Sequence, residues 1–312
     1  MLVSPRNVLP AGCFSVTDPS PPAPQPGRLD RLDRLGPAIL GATSFACSDI
    51  LGKLTLNAGA DVLTLATVRS YIGVAMLSGW LALTAKLPPL EPRAKRLSWL
   101  LGVLFTGNVY FLFKAFEAVP VPIAVLTYFV YPLLTGIAGA ATGLDRLTWR
   151  GAAAALAAFL GLALMIGSHP GGLALSGILA ALASACCRVA MLLITRAWLQ
   201  GADVRLITWH TLTVSTVLFT LLALVAWHWQ PPAGVAGWAA LVALGVTTTL
   251  GILFVYVSTV RIGPFRTALF MNLEPLLTAV GSAAFLGEVL APLQVAGGAV
   301  MIAALVMFQL KR

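Results

Sequence analysis

The sequence predicts an all-α membrane protein: ten transmembrane helices arranged as two inverted five-helix repeats, with both termini cytoplasmic. Three observations predict it, namely an apolar composition, an internal repeat, and positive charge that alternates from loop to loop. Hydrophobic residues make up 59% of the 312 and charged residues 10%, against roughly 25% charged in a soluble domain. Such a chain has too little polar surface to cover itself in water. Pro132-Leu133-Leu134-Thr135 recurs as Pro275-Leu276-Leu277-Thr278, 143 positions on, and Asp145 recurs as Glu288 at the same spacing. Leu101-Gly102-Val103 recurs as Leu244-Gly245-Val246, and Gly59-Ala60-Asp61-Val62 as Gly201-Ala202-Asp203-Val204. A unit with an odd number of spans, repeated in tandem, must sit upside down in its second copy.

Each span is an apolar stretch of about 18 to 24 residues, long enough to cross a hydrocarbon core of about 30 Å. The first (36–54) runs from the arginines Arg28, Arg31 and Arg34 to a break near Asn57. The second (62–83) runs from that break to Arg93, Lys95 and Arg96. The third (98–116) ends near Pro120, and the fourth (121–142) ends before Arg146 and Arg150. The fifth (148–166) and sixth (172–194) are separated near His169; the sixth ends at Arg196. The seventh (204–227) follows Arg205, and the eighth (235–257) lies between Pro231 and Arg261. The ninth (264–286) carries Arg266 at its start and ends near Gly287, and the tenth (291–310) closes on Lys311-Arg312. Lys and Arg thus fall in every second loop, as they do where a loop stays in the cytoplasm. The net charge of +9 follows from this topology beside anionic inner-leaflet lipid. A nucleic-acid partner is not expected; the bilayer is.

Residues 1–35 hold seven prolines and then the run Arg28-Leu29-Asp30-Arg31-Leu32-Asp33-Arg34. They read as a disordered cytoplasmic tail, or as residues ahead of the true start, and lack the apolar core of a signal peptide. The first repeat occupies 36–167 and the second 168–312. Cys13, Cys47, Cys186 and Cys187 have neither disulfide nor metal-site spacing, so no metal and no cofactor are expected. Nucleotide-binding, zinc-protease and nucleophile-elbow motifs are absent, which argues against ATP-driven transport and against an enzyme.

The chemistry therefore rests on ionisable residues inside the membrane, each costing roughly 2.5 to 3.5 kcal/mol at the bilayer centre. Asp49 in helix 1 and Arg69 in helix 2 fall at one depth, about 8 to 10 Å below the outer surface at 1.5 Å per residue. They can pair, either as a tie between helices or at the wall of an aqueous cavity. Arg188 in helix 6 and Glu274 in helix 9 form a second possible pair nearer the cytoplasm, and a shift of 139 relates Asp49 to Arg188. Glu274 precedes Pro275, whose missing N–H is expected to leave the Met271 carbonyl free; Pro132 does the same for Tyr128. Asn108, Tyr128, Tyr131, His210, Met271 and Asn272 lie at compatible depths to complete a pocket. Lys53 and Lys114, close to helix ends, are expected to snorkel to water. Helices 5 and 10 lack deep ionisable residues and are rich in Ala and Gly. They read as peripheral, either supporting the bundle or making a homodimer contact.

Ten spans in a five-plus-five repeat, with Pro132-Leu133-Leu134 before Asp145 and Pro275-Leu276-Leu277 before Gly287-Glu288, resemble the EamA family of the drug/metabolite transporter superfamily. The resemblance covers residues 36–310. It implies a cavity formed by helices 1 to 4 and 6 to 9, with helices 5 and 10 outside, and transport of small polar metabolites or drugs. Helix 1 departs from the family's common Trp-Gly followed by a basic residue, having Cys47-Ser48-Asp49 ahead of Lys53. Inverted repeats also occur in many secondary transporters. The expected function is an inner-membrane secondary active or facilitative transporter, an exporter of a small polar metabolite (an amino acid or derivative) or a drug, working by alternating access. The alternative is a membrane sensor or assembly subunit whose intramembrane charges are only structural.

Overall fold

The structure is a computed structural model that describes residues 28–84, 89–119, 121–166, 174–227, 229–286 and 291–310. The described residues are α-helical with short connections and contain no strand. The first half holds α1 (Arg28–Asn57), α2 (Val62–Leu83), α3 (Pro92–Ala118), α4 (Val121–Tyr128), α5 (Tyr131–Ala141) and α6 (Trp149–Ile166). The second holds α7 (Leu175–Trp198), α8 (Val204–Ala226), α9 (Gly234–Ile262), α10 (Pro264–Phe270), α11 (Leu273–Leu286) and α12 (Pro292–Leu310). Among the described residues, seven spans, counting α4 with α5 as one, are long and apolar enough to cross a membrane.

The ten expected spans appear as twelve segments because the fourth and ninth are broken. Each break falls just before the repeated proline, at Phe129-Val130 and at Met271-Asn272. The expected free carbonyl of Met271 is not free: Glu274 N–H donates to it at 3.0 Å. A three-residue turn thus replaces the bond that Pro275 cannot make. The tail boundary also shifts, since residues 28–35 extend α1; Leu and Arg are good helix formers and nothing in that run interrupts them. The rest of the expected tail, 1–27, lies outside the described residues.

Helix starts account for another repeated motif. Asp61 caps α2, accepting from the N–H of Leu63 at 2.8 Å and of Thr64 at 2.9 Å, and Asp203 caps α8 through the N–H of Arg205 at 2.8 Å. Both supply a carboxylate to otherwise unpaired first-turn donors.

Packing is reciprocal between the halves. The helix α1 lies along α9 as α3 lies along α7, and α2 lies on α9 as α8 lies on α3. Equivalent helices also meet: α2 with α8 and α6 with α12. These two pairs run antiparallel. Tyr71 Oη bonds Thr220 while Ser78 accepts from Trp209, and Gly161 faces Gly297 and Met301 while Ala153 and Ala304 share one cavity wall nearer the other end. The repeated Leu-Gly-Val motif marks two equivalent crossings. A Cβ on Gly102 would stand 2.7 Å from the Thr211 carbonyl oxygen, and one on Gly245 would stand 2.7 Å from Ile72 Cβ and 3.1 Å from the Arg69 carbonyl oxygen. Only glycine allows both approaches. The small faces of α6 and α12 are spent on each other, burying Ala154, Ala155, Ala158, Met301 and Ala304.

Candidate functional site

The two expected ion pairs form one cluster. Asp49 on α1 is exposed, and its Oδ2 accepts from the Thr278 hydroxyl of α11 at 2.8 Å. Asp49 is within electrostatic reach of Arg69 and of Glu274, and Glu274 is within reach of Arg188. Arg69, Asp49, Glu274 and Arg188 therefore run in sequence, two neighbouring carboxylates flanked by an arginine at either end. Among the described residues none of these four closes a contact ion pair with another. A carboxylate at this depth that keeps accessible surface faces water or a polar cavity rather than acyl chains.

Arg188 projects from α7 and is 5% exposed. Its guanidinium carbon lies 5.3 Å from the centre of the Phe45 ring and 5.9 Å from that of Tyr131. Ring faces are electron-rich and hold the cation without neutralising it. Its Nε has no hydrogen-bond partner, nor have Arg69 Nε, Tyr131 Oη and Tyr256 Oη. Tyr131 Oη is nonetheless within reach of the Arg188 guanidinium and Tyr256 Oη within reach of Thr211, so the Nε atoms of Arg69 and Arg188 are the ones left short where buried polar atoms are usually paired. Tyr128 stands against Tyr131 with ring centres 5.2 Å apart.

The mirror expected for this cluster is displaced by one turn. At the spacing of 143 that relates the repeats, the counterpart of Arg188 is Phe45, the residue it stacks on, and the counterpart of Glu274 is Tyr131. The spacing of 139 between Asp49 and Arg188 reaches a neighbouring turn instead.

Other expected pocket residues hold helices or the backbone, Asn108 while also reaching Tyr128. The amide of Asn108 donates to Ser184 O and Oγ, both at 2.9 Å, and Ser184 returns a bond to Asn108 O at 2.7 Å, clasping α3 to α7. Asn272 donates to Leu269 O at 2.9 Å and satisfies the backbone at the helix break. Met271 is fully buried there. His210 packs on Trp209 at 4.8 Å and Trp99 at 6.5 Å, with Lys95 nearby, away from the cluster. Lys53 is exposed, and Lys114 pairs with Glu117 at 2.8 Å on the surface.

Three neighbours of the cluster escape sequence reasoning: Phe45, Tyr256 and Thr278. Only Thr278 carried a signal, as the last residue of the repeated Pro-Leu-Leu-Thr. The apolar Phe45 gives no sign that it flanks a cation, and Tyr256 lies in a helix with no charged residue before Arg261.

Each end of the bundle carries a clasp between the halves. At one end Gln230 N–H donates to Asp61 Oδ2 at 2.7 Å, Asp61 N–H donates to Gln230 O at 3.0 Å, and Ala233 N–H donates to Ala58 O at 2.7 Å. At the other, Phe265 N–H at the start of α10 donates to Asp145 Oδ2 at 3.2 Å. The φ of +93° at Gly263 lets the chain pass this carboxylate, which would lie 2.8 Å from a Cβ there.

The sequence profile of the EamA-like transporter family matches the chain twice, over residues 37–167 and 175–310. One solved crystal structure of a protein superposes with a TM-score of 0.73 over 89% of this chain and 98% of its own, at 20% sequence identity. That likeness is one of fold. The curated protein sequences give no significant match.

Proposed function

Because the chain belongs to the EamA-like transporter family, within the drug/metabolite transporter superfamily, we propose that this multi-pass membrane protein is a secondary carrier that exports a small zwitterionic metabolite, an amino acid or a derivative, across a bacterial inner membrane. The observation that carries this reading is the row of Arg69, Asp49, Glu274 and Arg188, two adjacent carboxylates between two arginines, with the Nε of each arginine buried and short of a hydrogen bond. Asp49 and Glu274 hold the substrate's ammonium group. Arg188, with Tyr131 and Tyr256, offers a guanidinium and two hydroxyls to its carboxylate.

Alternating access follows from an inverted repeat with both termini in the cytoplasm. The antiparallel meeting of equivalent helices α2 with α8 and α6 with α12 supports the inversion. So does the contact between Arg188 and its counterpart Phe45, since a residue touches its own counterpart only near the axis relating the halves. The substrate then sits where both repeats contribute equally, and rocking one half against the other exposes it to either side. The Asp61–Gln230 and Asp145–Phe265 clasps act as the two gates. A homodimer of such carriers meets through outward residues such as Leu156, Leu160 and Ile302 rather than through the small residues of α6 and α12.

The test is untargeted metabolite analysis of cells and medium, comparing wild type, Glu274→Gln and empty vector at matched membrane abundance. The reading expects a zwitterion to move from cells to medium with wild type alone. Equal movement with Glu274→Gln removes the cluster from the mechanism, and movement of a substrate without an ammonium group removes the assignment of Asp49 and Glu274.

A further inference from the structure

The end of the bundle that carries Asp145 holds a second polar feature, apart from the central cluster. Arg146, Arg150 and Arg266 line a cavity of about 330 Å³ with Trp149, Met307 and Phe308. A neighbouring cavity of about 290 Å³ shares Trp149, Arg150, Met307 and Phe308 and continues along α6 and α12 over Ala157 and Ala304. One end of this groove is thus cationic and the other entirely apolar.

The arginines are brought together by local structure. Phe265 wedges between α5 and α6, its ring filling the places where side chains on Gly136 and Gly151 would stand at 2.9 and 2.8 Å. It thereby sets Arg266 beside the start of α6. Thr148 Oγ1 accepts from Gly151 N–H at 3.2 Å, and the remaining amides of the first turn of α6 favour an anion. Asp145, the one acid among the described residues of the rim, already accepts from Phe265 N–H at 3.2 Å and Arg146 N–H at 2.9 Å. Among the described residues, Arg146 and Arg266 outnumber this one carboxylate. Neither Arg146 nor Arg266 forms an ion pair with a described residue, and Arg150 lies 5.8 Å from the Trp149 ring centre.

Positive charge at this end is also what topology demands, but topology does not require three arginines to converge on one cavity that runs on into an apolar groove. The counterparts of Arg146, Arg150 and Arg266 at the repeat spacing are Val289, Leu293 and Ile123. The feature therefore belongs to one half only.

We propose that this groove binds an anionic phospholipid, with the phosphate held by Arg146, Arg150 and Arg266, the glycerol at Trp149, and an acyl chain along α6 and α12. The pair α6 and α12 stands beside the central bundle, and α10 leads directly into the break before Glu274, so an occupied groove braces the half-helix that carries the site.

The experiment is thermal unfolding of the purified full chain in mixed micelles containing phosphatidylglycerol or phosphatidylcholine, with inorganic phosphate as a further arm. Wild type is expected to be stabilised by phosphatidylglycerol alone. Losing two arginines at about 1 kcal/mol each makes binding about thirtyfold weaker in Arg146→Gln/Arg266→Gln. Arg93→Gln/Arg96→Gln, which removes two charges of the same topological class outside the cavity, is expected to keep the wild-type response. Monodispersity of each variant without added lipid separates misfolding from lost binding, and Arg146→Lys/Arg266→Lys is expected to regain part of the response. Equal stabilisation by phosphatidylcholine, an equal effect of phosphate alone, or equal loss in the Arg93/Arg96 variant overturns the proposal.

Discussion

Arg188 and Asn272 illustrate how two polar residues at similar depth do opposite work. The Arg188 guanidinium is held by the Phe45 and Tyr131 rings, contacts that leave its charge available. Arg188→Lys keeps the charge but loses the planar stack and the forked donors. It is expected to lower substrate efflux at least tenfold at unchanged membrane abundance, measured with the zwitterion identified by metabolite analysis. Asn272 instead donates to Leu269 O inside the protein. Asn272→Ala leaves the Leu269 carbonyl only the longer backbone bond from the residue 272 N–H at 3.2 Å and is expected to cost about 1 kcal/mol of stability, read as a lower unfolding temperature. The sequence places both residues at pocket depth; Arg188 stands against the Phe45 and Tyr131 rings, whereas the Asn272 amide turns to Leu269 O. Depth follows from counting residues, whereas side-chain direction follows from how a helix is rotated against its neighbours. The same limit explains Asn108, whose partner Ser184 lies 76 positions away on a different helix.

At the scale of elements, duplicated glycines show why the repeat survives as short motifs. Gly102 and Gly245 stand at equivalent crossings where α3 meets α8 and α9 meets α2, and each is crowded by a neighbouring helix. Gly102→Val and Gly245→Val are expected to destabilise by similar amounts, about 1 to 3 kcal/mol from overpacking, and the double variant to be close to additive because the sites are separate. Unfolding temperatures of the three variants check this. The spans and the proline breaks were legible because hydrophobic length and the missing proline N–H act locally. Rescue of the Met271 carbonyl by Glu274 N–H was not, since it depends on how the turn tightens. The packing of α6 against α12 was half legible: small residues announced a close helix contact, but composition does not say whether the partner lies in the same chain.

In the whole molecule, a clasp at each end joins the two halves on either side of the central cluster. Partial burial raises the Asp61 carboxyl, but hydrogen bonds from the Thr64 hydroxyl and from the N–H groups of Thr64, Gln230 and Leu63 outweigh it and hold it below the usual carboxylate range. A value depressed in the folded state gives stability that is complete above the unfolded value of about 3.9 and lost as pH falls through the folded one. Asp61→Asn is therefore expected to unfold at lower temperature than wild type at pH 7, with the gap closing below about pH 4. The central claim is that the charged row handles substrate rather than tying helices together. Its most direct measurement is a double-mutant cycle on Glu274→Gln, Arg188→Gln and the pair, recording unfolding temperature and zwitterion efflux from proteoliposomes. The account predicts that all three variants stay folded near the wild-type temperature and that none transports. Single variants that each unfold early, with stability and efflux both restored in the pair, would contradict it.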